Sequence, residues 1–326
     1  MKKLLFVVSA GFIFFTSCKK TETDPISTHS ATETPLIGRR CAAMEVLEQQ
    51  MKEDPSLRQR MENIENFTRT FSSSAQRLNG DVLEVPVVVN VLWHTTAENL
   101  AAGQIQSQID VLNEDYTGTN SDYSNVPSLF SGVKAYDTKI HFFLDTIIRR
   151  QTSKTSWGTN DAMKKTKQGG INPTNPAFML NLWACALGQN LLVYAQFPGG
   201  NPATDGVVIL NSAFGSRAKY PSGYYISTYD LGRTATHEVG HYFNLRHIWG
   251  DANCGNDFID DTPLHTTANY GCPAYPTRST CTGTPVMMTM NYMDYTDDAC
   301  MYMFSAGQKV RMQAVWAVGG PRASMR

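Results

Sequence analysis

The sequence predicts an α/β (α+β) chain: a twisted mixed β-sheet with packed helices, one of them built to bind metal, then an irregular disulfide-linked C-terminal subdomain with a closing helix. Three observations predict it. Alternating apolar runs at 83–93 and 139–148 are separated by a helical pattern, as in a sheet covered by helices. Residues 234–249, TATHEVGHYFNLRHIW, place His237, Glu238, His241 and His247 close together in sequence at a spacing suited to one ion. Four cysteines then fall between Cys254 and Cys300 in a Pro-, Thr- and Gly-rich stretch with little periodicity.

The chain has 326 residues, 42% of them hydrophobic, enough for a substantial core in one ordinary domain after a leader and a charged N-terminal segment. Its net charge of −1 and lack of a basic run give no reason to expect nucleic acid as a partner. Lys2 and Lys3 precede an apolar run over 4–15, too short to span a bilayer comfortably and suited to a signal peptide. It ends in Phe15-Thr16-Ser17-Cys18, which resembles a bacterial lipoprotein box. Residues 1–17 would then be removed and Cys18 lipidated, giving a membrane tether, or a secreted protein after processing; either way the chain is exported. Residues 18–38, rich in Thr, Ser, Glu and Pro, read as a flexible tether.

Residues 39–80 read as a pro-segment of two charged helices. The first opens at Cys41 and runs to Met51; the second has Asp54 as N-cap and Pro55 as first helical residue and ends near Phe67. Arg69 and Arg77 fall in the polar stretch TRTFSSSAQRLNG, an exposed linker suited to cleavage. The main domain, 81–326, opens with a strand apolar on both sides, Val85, Val87, Val89 and Val91 alternating with Val88 and Leu92, which places it inside the sheet. Ile105, Ile109, Leu112 and Tyr116 recur at helical spacing and would cover one face. Further strands are expected at 139–148, 180–187 and 206–210. His94 and His141 are expected to be structural and Cys185 a buried thiol.

On a helix, His237 and His241 lie one turn apart on one face, with Glu238 beside them. A continued helix would carry His247 about 15 Å beyond His237 and swing it off that face, so the helix must stop first. Asn244 is where it stops, because Asn tolerates the left-handed conformation that ends a helix. Three neutral imidazoles with one open position describe a catalytic zinc site. The pattern arises by chance in roughly one in ten thousand chains of this length.

This segment resembles the long zinc signature of the metzincin metallopeptidases, HExxHxxGxxH, with Asn244 in place of Gly. Downstream, NYMDYTDDACMYMFSAGQ supplies Met293 for the metzincin methionine turn. With LGRTATHEVGH and LNLWACALGQNLLVYAQFPGG, the wording is similar to the pappalysin family in its bacterial (cytophagalysin) branch, from about Arg39 to Met312. The resemblance implies a metzincin-like fold, with an upper subdomain over 81–246 and a lower one over 247–326. It implies a zinc-dependent endopeptidase acting on proteins or peptides, expected as a monomer, with Glu238 as general base. RRCAAMEVLEQQ resembles the pro-region of bacterial members, where a cysteine fills the open zinc position, so Cys41 would silence a zymogen; a thiolate binds zinc better than water does. Tyr295 matches a position whose phenol stabilises the oxyanion. Four cysteines allow three pairings, and the resemblance favours Cys254 with Cys281 and Cys272 with Cys300. Asp257, Asp260, Asp261 and Thr262 are hard oxygen ligands suited to calcium; the resemblance narrows these to Asp257, Asp260 and Thr262. It also places the 206–210 strand along the cleft, antiparallel to bound substrate.

Specificity departs from the family. Bacterial relatives favour Arg or Lys after the scissile bond through an acidic residue before the last loop cysteine, and here that position is Ala299, with Asp297 and Asp298 adjacent. Two other functions remain open: a zinc hydrolase of non-peptide substrates, since the site sets the chemistry and not the substrate, or an inactive peptidase-like surface lipoprotein that binds a partner. The intact Glu238 argues against the second.

Overall fold

The computed structural model describes Met1 and residues 39–73 and 80–326. The leader, the tether with Cys18, and Arg77 lie outside the described residues.

The chain enters with Cys41 in an isolated β-bridge to Val193, followed by α1 (Ala43–Glu53) and α2 (Ser56–Ser73). The first helix starts after Cys41 because the residues on either side are bonded to the sheet edge: Leu192 N–H donates to the Arg40 carbonyl at 3.1 Å and Ala42 N–H to the Val193 carbonyl at 3.0 Å. Asp54 opens α2 as expected, accepting from the Ser56 amide at 3.1 Å. The helix runs six residues past Phe67, because Thr68 and Phe71 continue its buried face. Arg69 is therefore helical, a correction to the linker expected there.

Strand β1 (Leu83–Trp93) is followed by α3 (Ala102–Thr117), which ends where Gly118 takes a φ of 65°. Strands β2 (Ile140–Gln151), β3 (Leu180–Cys185), β4 (Val193–Ala195) and β5 (Val207–Leu210) complete a five-stranded sheet in the order β2-β1-β3-β5-β4. Every pairing is parallel except β4 with β5. Period-two alternation divides the sheet into two apolar faces. Val85, Val87, Val89, Leu182, Val207 and Ile209 share one core with the apolar stripe of α3, while Trp183, Cys185, Tyr194 and Val208 pack on Trp157, Met163 and Ile171. Cys185 is a free, buried thiol.

The edge of the sheet differs from expectation. The strand at 206–210 does not border the cleft; β5 lies inside, between β3 and β4. The chain folds back so that Leu210 N–H donates to the Leu192 carbonyl at 2.7 Å and Gln196 N–H to the Gly206 carbonyl at 3.1 Å, making three-residue β4 the antiparallel edge.

After β5 the chain builds α4 (Arg233–Tyr242), then mostly irregular structure, then α5 (Ala306–Trp316), capped by Ser305 and Gln308 in a reciprocal box. Cys254 pairs with Cys281 and Cys272 with Cys300, tying the irregular segment to itself. Helix α4 packs against α3, β4 and β5, so its histidines face the edge of the sheet.

Candidate active site

All ten residues of α4 are buried, although six of them are polar or charged. Their partners explain how. Thr236 Oγ1 donates to Asp115 Oδ2 at 2.7 Å, and Arg233 donates to Asp115, Asp122 and the Asp298 carbonyl. Asp115 also accepts from the Tyr292 hydroxyl at 2.7 Å, which ties α3, α4 and the turn beneath α4 into one network.

The helix ends as its sequence predicts. Asn244 adopts a φ of 68°, and Leu245 N–H returns to the Gly240 carbonyl at 2.9 Å. This reversal brings His247 back to the other two rings. His241 Nε2 lies 3.2 Å from His237 Nε2 and 3.1 Å from His247 Nε2. Each Nδ1 faces an acceptor: the Tyr292 carbonyl at 2.7 Å for His237, the Leu245 carbonyl at 2.8 Å for His241, and the Asp251 carboxylate for His247. A carbonyl can only accept, so Nδ1 carries the proton and the Nε2 lone pairs point at one another. Burial, then repulsion from neighbouring rings, pushes His237 and His241 far below the ordinary histidine value, so both are neutral.

Three other groups converge there. The Cys41 Sγ and the three imidazoles bring their ligand atoms within 4.8 Å of one another, and among the described residues this is the one such cluster of His, Cys, Asp and Glu side chains. Both Glu238 oxygens are buried without a partner of ordinary hydrogen-bond geometry, with the Cys41 thiol nearby. Burial pushes Glu238 up to about 8 against the lowering pull of Cys41 and Arg39, and burial, then the Glu238 charge, holds the Cys41 thiol well above its ordinary value. A divalent cation would reverse both directions. Tyr295 donates its hydroxyl to the Cys41 carbonyl at 3.2 Å. Converging lone pairs, an adjacent thiol and an orphaned carboxylate are a donor set that fits zinc.

Met293 lies fully buried beneath α4, and a Cβ added to Gly240 would lie 2.6 Å from its Sδ. The glycine of HEVGH thus lets the methionine approach the helix. Calcium has a weaker basis. Thr262 Oγ1 donates to both Asp257 oxygens, at 3.0 and 2.9 Å, and burial raises Asp257 to about 7. Asp260 is exposed, and Asp261 instead holds the start of α5 through Ser305 and the Gly307 amide. Neither His94 nor His141 belongs to the histidine cluster; His94 is exposed and His141 half-buried beside Glu84.

Sequence reasoning missed two residues. Arg39 is 2% exposed, and its guanidinium reaches Asp298 Oδ1 at 2.6 Å, Thr234 Oγ1 at 3.1 Å and the Thr296 carbonyl at 3.3 Å. Its position two residues before Cys41 was the available signal. Asp251, four residues after His247, is the other.

Chemistry of this kind, on a helix seated over a buried methionine, is that of a zinc metallopeptidase. The profile for pregnancy-associated plasma protein-A matches residues 213–317. An extracellular metalloprotease of Verticillium alfalfae is 33% identical over 72% of this chain and 78% of its own length. One of Colletotrichum graminicola is 31% identical over 89% and 95%. Among solved structures, a promirolysin mutant of Tannerella forsythia is 40% identical, with a TM-score of 0.78 over 88% of this chain and 97% of its own. Mature mirolysin from the same organism, in complex with a cleaved peptide, is 43% identical, with a TM-score of 0.71 over 76% and 96%. The chain belongs to the pappalysin family of metzincin metallopeptidases.

Proposed function

We propose that the chain is an exported zinc endopeptidase made as a zymogen, with residues 39–80 as its pro-segment and Cys41 as the residue that silences it. The observation that carries the reading is the Cys41 Sγ seated among the three imidazoles. The promirolysin match covers 88% of this chain against 76% for mature mirolysin, a difference in keeping with an N-terminal segment lost on maturation. Export rests on the leader and on relatives named extracellular, with lipidation of Cys18 as the tether.

Zinc held by His237, His241 and His247 supplies, when bound, a Lewis acid that polarises the scissile carbonyl and acidifies water. Glu238 takes the proton of the attacking water and passes it to the leaving amine. The Tyr295 phenol donates to the carbonyl oxygen as it gains charge; its present hydrogen bond to the Cys41 carbonyl supports that role, with the pro-segment carbonyl standing in for substrate. Residue 41 pairs parallel to Val193 on β4, whereas the family resemblance has substrate running antiparallel to the edge strand. A reversed chain puts Arg39, N-terminal to Cys41, on the side filled by residues after the scissile bond. Arg39 on Asp298 therefore supports a basic preference at that subsite despite Ala299. Calcium enters this reading at Asp257 and Thr262 alone.

The full chain carrying Cys41→Ala, supplied with zinc and an unfolded protein mixture, tests the reading. It is expected to cleave without prior trimming, chiefly before Arg or Lys, and to stop on chelation. Continued silence of this variant while it binds zinc would remove Cys41 from the mechanism.

A further inference from the structure

His247 is held differently from the other two rings. His237 and His241 donate their Nδ1–H to backbone carbonyls, which are neutral, whereas His247 donates to the Asp251 carboxylate. His247 also lies beyond the helix, where no backbone ladder fixes its direction. Its ring is stacked on Trp249, centroids 4.3 Å apart and planes 10° apart, with Tyr295 edge-on at 4.9 Å. Stacking holds the plane of a ring but leaves both flips about that plane available; only a directional partner selects which nitrogen points inward.

The chain goes to some conformational cost to supply that partner. Gly250 N–H closes a turn on the His247 carbonyl at 2.8 Å, and Gly250 and Asp251 both take left-handed φ, 61° and 57°. Asp is one of the few residues besides glycine that enter this conformation, and strained backbone of this kind persists where a site requires it. The turn is pressed against its neighbours: a Cβ on Gly250 would lie 2.3 Å from the Asn256 amide nitrogen, next to Cys254 and its disulfide. Among the described residues, His247 is the hydrogen-bond partner of the Asp251 side chain.

We propose that Asp251 is the positioning residue of the metal site, a carboxylate that fixes the His247 tautomer, aims Nε2 inward and raises its affinity for a divalent metal. This rests on the reading of the three imidazoles as ligands. An anionic partner makes an imidazole a better donor than a carbonyl does, and removing such a partner typically weakens metal binding about 10- to 100-fold.

The test is zinc affinity, measured by competition with a chromophoric chelator on the full chain in a Glu238→Gln background, which keeps the imidazoles and stops turnover. Asp251→Asn and Asp251→Gly are compared with that background. The glycine variant is the more telling, because it removes the carboxylate while relieving the left-handed strain. Both are expected to bind zinc about 10- to 100-fold more weakly, with metal-free melting temperatures at or above that of the background. Affinity within twofold of the background in both variants overturns the proposal. So does a loss of affinity matched by a loss of metal-free stability in both, which assigns Asp251 to the turn alone. A background protein that binds no zinc overturns the reading of the imidazoles, and this proposal with it.

Discussion

Asn244 decides whether three histidines meet. Its φ of 68° ends α4, and its side chain is buried with both polar atoms unpartnered, so the residue contributes through its backbone alone. Glycine suits that conformation better and leaves no buried amide, whereas alanine has neither the freedom nor the tolerance of Asn. Asn244→Gly is expected to hold or raise the denaturation midpoint, and Asn244→Ala to fall about 1–2 kcal/mol below it. Equal stability of the two variants in denaturant melts would count against this role. At this scale the sequence was informative wherever chemistry and spacing are local. His237, Glu238, His241, His247 and the left-handed Asn are all within eleven positions. Arg39 was signalled only by its place beside Cys41, because its partner Asp298 is 259 positions away, and Asp251 was hidden because its value depends on two consecutive left-handed residues.

At the level of elements, α2 meets α5 through Phe67 and Phe71 against Ala314 and Ala317, and through Glu65 on Arg311 at 2.8 and 2.6 Å. Burial by itself would raise Glu65, but the Arg311 hydrogen bonds and charge, then Arg246 and Arg69, outweigh it and hold the carboxyl below its ordinary 4.5. A lowered folded value means that the contribution is complete above the unfolded value and is lost as pH falls through the folded one. Acidification below about pH 4.5 should therefore loosen α2, seen as lower amide protection over 56–73 once intrinsic exchange rates are divided out, and Glu65→Gln should abolish the acid-dependent part. Amide protection over 56–73 that does not change with acid would contradict the role of this pair. Long periodic elements such as β1 and α3 were readable, and α2 was underestimated only because its last turns look polar. Strand β4 was not readable: three residues cannot display a period, and its place at the edge is fixed by hydrogen bonds to β5.

For the molecule as a whole, the first helices are not an appendage. Leu57, Met61 and Ile64 share the main core with Val193, Phe197 and α4, while Cys41 and Arg39 occupy the site itself. Apolar contact, edge pairing and the two site residues all act on one surface. The fold class, the metal helix and the disulfide pairing implied by family resemblance all agree with the structure, whereas the order of the strands at the cleft depended on tertiary pairing that no local pattern encodes. The most direct measurement reads the N-termini, by mass spectrometry, of the chain from Lys19 onward and of its Glu238→Gln variant, each incubated with zinc and calcium. Self-trimming between Cys41 and Leu83 in the unmodified chain alone is the predicted result. Trimming in both, or in neither while a chain lacking residues 19–78 also spares an unfolded protein mixture, would contradict a self-processing peptidase that uses Glu238.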